Sequence, residues 1–477
     1  MDDLNALIVT PEAKMLTVLG RYFPRAFEDG SKFLHAPYAR QAIDRVLDMG
    51  NHPIHLTHFN QLLHLCHEAG VSEGFFKYYF LTVPAAHPYL TSEPLPAINP
   101  DGIASVEQFD WALRRFYIDA VFYWGNIRQA YRELRSHSYE EIVEFFSSHR
   151  FPTEKMSKRG PVLPFSKIAV DDRYLIAEMA CKAYAPIGSE ETTHIETVLL
   201  EAYKKAGAGR IKISQLFEKD GVIAKERPAE QMMLKFGADE FMDELVENED
   251  QLRAHVSKIA KRFSRARKAA ANNTSLYLSI VNELDVYVAT SMRDRADFRN
   301  MAREVEHIFK RPGLSQLNIR YFDPTMSAAD GHEDKGLIEC LMVKCARAVL
   351  YFAGESDTFG KDAEIAMAMS LGKPVIIYCP DTERGRQREQ IFRDVHPLSR
   401  LIEFATGVAT GAIVTRNPDV AAQLLERIFM NKMEYDLDHK GDSYFRVRER
   451  LTNSVVRLQT SSAIIRETFW NYYNHAP

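Results

Sequence analysis

The chain has 477 residues, 46% of them apolar and 26% charged, with a net charge of -5. These values fit a globular protein of two or three domains and exclude a disordered, collagen-like or strongly basic chain. Five cysteines (Cys66, Cys181, Cys340, Cys345 and Cys379) follow neither a zinc spacing nor a disulfide framework, so reduced thiols are expected.

The opening MDDLNALIVTPEAK carries neither the basic segment nor the apolar run of a secretion signal. No stretch approaches the roughly 20 apolar residues that cross a bilayer. A cytoplasmic chain without membrane contact is therefore expected. Residues 1–160 read as helices rich in aromatics. Phe109, Leu113, Phe116 and Tyr117 share one face, continued by Ala120, Tyr123 and Trp124, the pattern of a core or a helix–helix interface. Pro84, Pro88, Pro94, Pro96 and Pro100 punctuate the approach to that helix. This region is expected to sense a signal, to oligomerise or to bind a regulatory protein.

Residues 161–275 read as a second, mainly helical module. TTHIETVLLEAYKKAGAGRIKISQLFEKD gives a helix, a glycine turn, a short extension and a helix, winged-helix-like in outline. An acidic segment, ADEFMDELVENED, then precedes a basic one in which Arg253, Lys258, Lys261, Arg262, Arg265, Arg267 and Lys268 cluster with good helix propensity. Two readings stand: a solvated helix face set against acidic neighbours, or a contact for the phosphates of a nucleic acid or nucleotide. Asn272-Asn273-Thr274 reads as a linker.

From residue 276 the pattern changes to alternating strands and helices. Strands are predicted at 284–290, 317–323, 348–354, 374–379 and 411–415. Helices are predicted at 297–311, 335–347, 361–371 and 418–433. The alternation implies an α/β domain over 276–435, built on a five-stranded parallel sheet, most simply in the order 2-1-3-4-5. That order would set the loop Thr290-Ser291-Met292-Arg293 against the loop from Glu355 to Gly360. Residues 436–477 show helical periodicity from Tyr444 to Tyr473 and end ETFWNYYNHAP, which reads as a docking helix.

The candidate chemistry lies between Ala346 and Cys379. An apolar run, Val349 to Phe352, ends in a polar loop. Glu364 follows in what reads as a first helical turn, where the positive helix end would hold a carboxylate ionised. Such a carboxylate can attack or stabilise an oxocarbenium-like sugar carbon as a C–N bond breaks. Ser356, Asp357 and Thr358 can hydrogen-bond ribose hydroxyls, and Gly354 and Gly360 allow close backbone approach. Arg293 would suit a phosphate or lie free on the surface. His396, before Pro397, is either a rim residue or a structural one. No P-loop, GxSxG or HExxH motif occurs.

The segments VYVATSM, RYFDPT and SDTFGKDAEIAMAMSLGKPVI are similar to the nucleoside 2-deoxyribosyltransferase-like family, and the arrangement resembles TIR domains that cleave NAD. The resemblance covers residues 284–415. It implies a flavodoxin-like α/β fold, catalytic roles for Glu364 and the loop acid Asp357, and NAD or another nucleotide as substrate, with no resident cofactor and no metal. It also implies substrate contacts from Tyr287, Thr290, Ser291, Asp323, Ser356 and Thr358. The chain departs from the family at Arg347-Ala348, where an acidic residue is usual, which favours glycosidic cleavage over recognition of a free base. A large helical region joined to such a domain resembles regulated anti-phage effectors of bacteria. Two other classes remain open: a non-catalytic nucleotide-binding module and a nucleic-acid-associated effector.

Overall fold

The computed structural model describes residues 41, 44–46, 48–65, 68–81, 101–124, 127–148, 158–160, 168–170, 172–173, 189–226, 243–290, 295–329, 332–354, 359–394, 401–403, 408–440 and 444–460. The chain divides into two compact units, one of Met1–Thr153, Arg400–Gly411 and Arg427–Pro477, the other of Glu154–Ser399 and Ala412–Glu426. The four successive regions read from the sequence do not coincide with these units. Residues 161–275 share a unit with the parallel sheet, and the N-terminal helices share theirs with strands from the end of the chain.

In the first unit, α1 (Leu56–Leu65), α2 (Glu73–Phe76), α3 (Val106–Asp119), α4 (Ile127–Leu134) and α5 (Tyr139–Ser148) carry a core of aromatic rings. Ser72 and Ser105 cap α2 and α3 by accepting from the backbone of Phe75 and Gln108. Phe109, Leu113, Phe116 and Tyr117 are buried, so the stripe read from the sequence is core. Phe59 lies 5.4, 4.5 and 5.8 Å from the rings of Phe76, Phe80 and Phe109, within the range where aromatic pairs add to simple burial.

The second unit opens with a small helical core. α6 (Ser189–Lys205), β1 (Ile211–Lys212), α7 (Ser214–Phe217), α8 (Val222–Glu226) and β2 (Leu245–Val246) precede α9 (Glu249–Ser279), a helix of 31 residues. Strands β1 and β2 pair antiparallel, and Leu199, Tyr203, Leu216, Leu252 and Val256 pack beside them. Asn272-Asn273-Thr274 is not a linker, because α9 runs through it without a break. The Asn273 amide donates to the Met326 carbonyl at 3.0 Å, and the Thr274 hydroxyl donates to the Ala328 carbonyl at 2.8 Å. The polar residues that looked like a break instead satisfy a neighbouring backbone.

Beyond α9 come β3 (Val286–Ala289), α10 (Arg295–Phe309), α11 (Pro312–Gln316), β4 (Tyr321–Phe322), α12 (His332–Cys345), β5 (Ala348–Phe352), α13 (Phe359–Ser370), β6 (Val375–Tyr378) and α14 (Glu383–Asp394). After β7 (Leu401–Glu403) and β8 (Val408–Thr410), which belong to the first unit, β9 (Ile413–Thr415) and α15 (Pro418–Phe429) follow. The sheet is wholly parallel, in the order β4-β3-β5-β6-β9. Its first strand, β3, lies between its second, β4, and its third, β5, so the winding reverses there. Every residue of β3, β5, β6 and β9 is buried, as a sheet covered on both faces requires. Asp285, buried at the entry to β3, accepts from the Arg159 guanidinium and, at 2.8 Å, from the Arg320 backbone.

β10 (Tyr435–Lys440), β11 (Tyr444–Glu449) and β12 (Val455–Thr460) correct the docking helix expected over 436–477. With β8 and β7 they form an antiparallel sheet in the order β10-β11-β12-β8-β7. The physical reason is a two-residue period: Val447 and Glu449 are buried while Arg446 and Arg448 are half-buried between them. The Glu449 carboxylate accepts from the backbone of Leu451 at 2.7 Å and Thr452 at 2.8 Å, and Asn453 takes a φ of 59°, which closes the turn into β12. Residues 461–477, with Phe469, Trp470, Tyr472 and Tyr473, lie outside the described residues. No described helix is long and apolar enough to cross a membrane.

Candidate active site

The winding reversal between β3 and β5 is where open parallel sheets bind ligands, in the crevice beyond the carboxyl ends of the strands. β3 brings Tyr287 and Thr290 to this place, and α13, packed on β3 and β5, brings Glu364. The Tyr287 ring is fully buried and stacked on Phe322 at 5.8 Å. Its hydroxyl is buried beside the Glu364 carboxyl without closing a hydrogen bond of ordinary geometry. Thr290 is 8% exposed, and its hydroxyl finds no hydrogen-bond partner among the described residues. A buried polar group left unsatisfied at the end of a strand is the kind of feature a ligand completes.

Glu364 does not sit in the first turn of its helix, nor is it held ionised. α13 begins at Phe359, and the first-turn acid is Asp362, whose carboxylate accepts from the Tyr351 hydroxyl at 3.1 Å. Burial pushes the Glu364 carboxyl up to about 8, and the Glu339 carboxylate pushes it the same way, while Tyr287, Lys335 and Lys361 oppose them. At neutral pH this group therefore holds its proton.

Lys335 and Glu339 come from α12, which packs against α13. They lie 3.8 Å apart, charge to charge, with the lysine buried and its ammonium forming no hydrogen bond among the described residues. Lys361, at the head of α13, is buried, donates to the Phe352 carbonyl at 3.0 Å and lies 4.7 Å from the centre of the Tyr351 ring. Arg388 of α14 donates to the Gly354 carbonyl, fixing the start of the loop that leads to α13. The second unit thus gathers the half-buried Glu364 and Glu339 with the buried Lys335 and Tyr287. Among the described residues no group of three or more His, Cys, Asp or Glu could hold a metal ion.

Of the residues predicted from sequence, Glu364 and Tyr287 lie side by side, Thr290 follows at the end of β3, and Gly360 stands exposed in the first turn of α13 with open space around its α-carbon. Asp323 is engaged within the fold. It is 1% exposed, accepts from the backbone and hydroxyl of Thr325 at 2.9 and 2.7 Å, and lies 3.8 Å from the Arg173 guanidinium. It caps the turn after β4. Ser291, Arg293, Ser356, Asp357, Thr358 and His396 lie outside the described residues.

Glu339 and Lys335 escaped sequence reasoning, yet a signal existed. Positions 335, 339, 342 and 346 share one helix face, and Met342 and Ala346 are core. Charges placed where that periodicity calls for apolar residues mark a buried polar site. No family model, curated protein or solved structure matches the chain.

Proposed function

We propose that the second unit cleaves the N-glycosidic bond of a nucleotide, with Glu364 as its catalytic acid, as part of a regulated effector. The observation that carries this reading is a carboxyl raised to about 8, beside a second carboxylate, at the reversal of winding in a parallel sheet. The order of strands is that of flavodoxin-like sheets, and the likeness of residues 284–415 to nucleoside deoxyribosyltransferases and NAD-cleaving TIR domains points to the same chemistry.

A protonated Glu364 gives its proton to a ring nitrogen of the departing base as the electron pair of the C1′–N bond moves onto that base. The sugar carbon becomes oxocarbenium-like, and the Glu339 carboxylate, which already acts on Glu364, is the group to oppose that positive charge. Water, or the hydroxyl of an acceptor, adds at C1′ and returns its proton to Glu364. This role suits a base that leaves as a neutral purine or pyrimidine. The pyridinium of NAD departs neutral without a proton, so NAD gains less from this acid.

The test incubates the purified protein, and a Glu364→Gln variant, with nucleoside monophosphates and with NAD, and separates released base by chromatography. Turnover falling at least about 100-fold in the variant is expected. Equal release by both proteins would remove Glu364 from the mechanism.

A further inference from the structure

From Gln251 to Asn282 the chain contains no aspartate or glutamate, in a protein whose net charge is -5. All but the last few of these residues belong to α9. Leu252 and Val256 on α9 pack into the helical core, and Ala266, Ala270 and Tyr277 are buried as well. The cations of this segment divide between two faces. Arg262 turns toward the protein and pairs with Asp172, and Arg267 is half-buried. Lys258, Lys261, Arg265 and Lys268 are exposed, and no ion pair joins them to an acidic side chain among the described residues.

Their spacing of three, four and three residues places all four on one stripe. At ~1.5 Å per residue the stripe runs about 15 Å along the helix. Like charges at these spacings repel one another, so the arrangement costs helix stability. Ser264 is exposed beside the stripe and leaves room for close approach.

We infer that this stripe binds the phosphate backbone of a nucleic acid without reading its sequence. A row of evenly spaced cations complements a row of evenly spaced phosphates, and none of the four stripe positions nor exposed Ser264 is aromatic, so no stacking is called for. An anionic membrane is the poorer match, because an interfacial helix must bury an apolar face in lipid and that face of α9 is already core. This surface belongs to the second unit and does not depend on the proposed glycosidase chemistry.

The experiment measures binding of the full chain to a fluorescently labelled DNA duplex and an RNA duplex by anisotropy, across a salt series. Binding that weakens with a log–log salt slope of roughly -3 to -4 is expected for four phosphate contacts. The quadruple variant Lys258→Glu, Lys261→Glu, Arg265→Glu, Lys268→Glu should lose affinity by at least about 100-fold and flatten the slope. A Lys219→Glu, Lys225→Glu variant, altered at exposed lysines elsewhere in the unit, should bind as the unaltered chain does. Unchanged circular dichroism and melting temperature establish that the quadruple variant folds, and a glutamine version at the same four positions, losing affinity less steeply, serves if it does not. Absence of binding at low salt, equal losses in both variants, or preference for anionic lipid vesicles over either duplex would each overturn the inference.

Discussion

Glu364 illustrates how one side chain takes its chemistry from its surroundings. Its carboxyl is raised to about 8 by burial and by Glu339, so as an acid it is active below that value and inactive above it. The rate of base release is expected to fall as pH rises through about 8, whereas a nucleophilic carboxylate would give the opposite limb. Glu339→Gln removes the like charge and should move that limb toward lower pH. A profile that stays in place would show that Glu339 does not act on Glu364. The same shift carries a stability consequence. A carboxyl raised in the folded state binds its proton more tightly there than in the unfolded chain. It therefore stabilises fully below its ordinary value of 4.5, and the contribution is lost as pH rises to about 8. In Glu364→Gln the melting temperature should vary less over that window.

Among the elements, β3 depends on the ion pair at its entry. Asp285 is fully buried and burial raises its carboxyl, while the Arg159 guanidinium and the Arg320 backbone counter that rise. Arg159→Met would leave a buried carboxylate short of its main partner, at a cost of about 3–5 kcal/mol near neutral pH. Chemical denaturation should show this loss shrinking toward acid pH, where the carboxyl takes up a proton. A change of less than about 0.5 kcal/mol would mean that water replaces the arginine. Gly372 and Lys373, which follow α13, hold a neighbouring element in place as well. Lys373 donates to the Val343 carbonyl at 2.9 Å and to the Ala346 carbonyl, closing the end of α12, and Gly372 takes a φ of 71°. That closure fixes the helix that carries Lys335 and Glu339.

For the whole molecule, the first unit is assembled from three separate stretches of chain, the first of them far in sequence from the other two. Ending the chain after Phe429 would remove β10, β11 and β12 and leave β7 and β8 as an isolated hairpin, which is marginal in water. It would also strip Phe122 of Tyr435, whose ring lies 4.7 Å away, and of Arg457 at 5.6 Å. Calorimetry should then show the transition of the first unit lowered by several degrees or lost. An unchanged thermogram would mean that the N-terminal helices hold together alone.

Much of the architecture was legible in local patterns. The aromatic stripe of α3 announced a core because a helix repeats every 3.6 residues, and the alternation of strand and helix announced a parallel sheet. Glu364 could be placed near the sheet edge for the same reason. Local pattern failed where distant partners decide the outcome. The arginines of β11 suit a helix as well as a strand until β10 and β12 pair with them, and Asn273 looked like a break until Met326 accepted its amide. The charge state of Glu364 lay furthest from view. Position in a helix argued for a carboxylate, but α12 laid Glu339 beside it and packing stripped away part of its hydration. Periodicity is written in neighbours along the chain, whereas acidity depends on the dielectric and the charges that folding brings together.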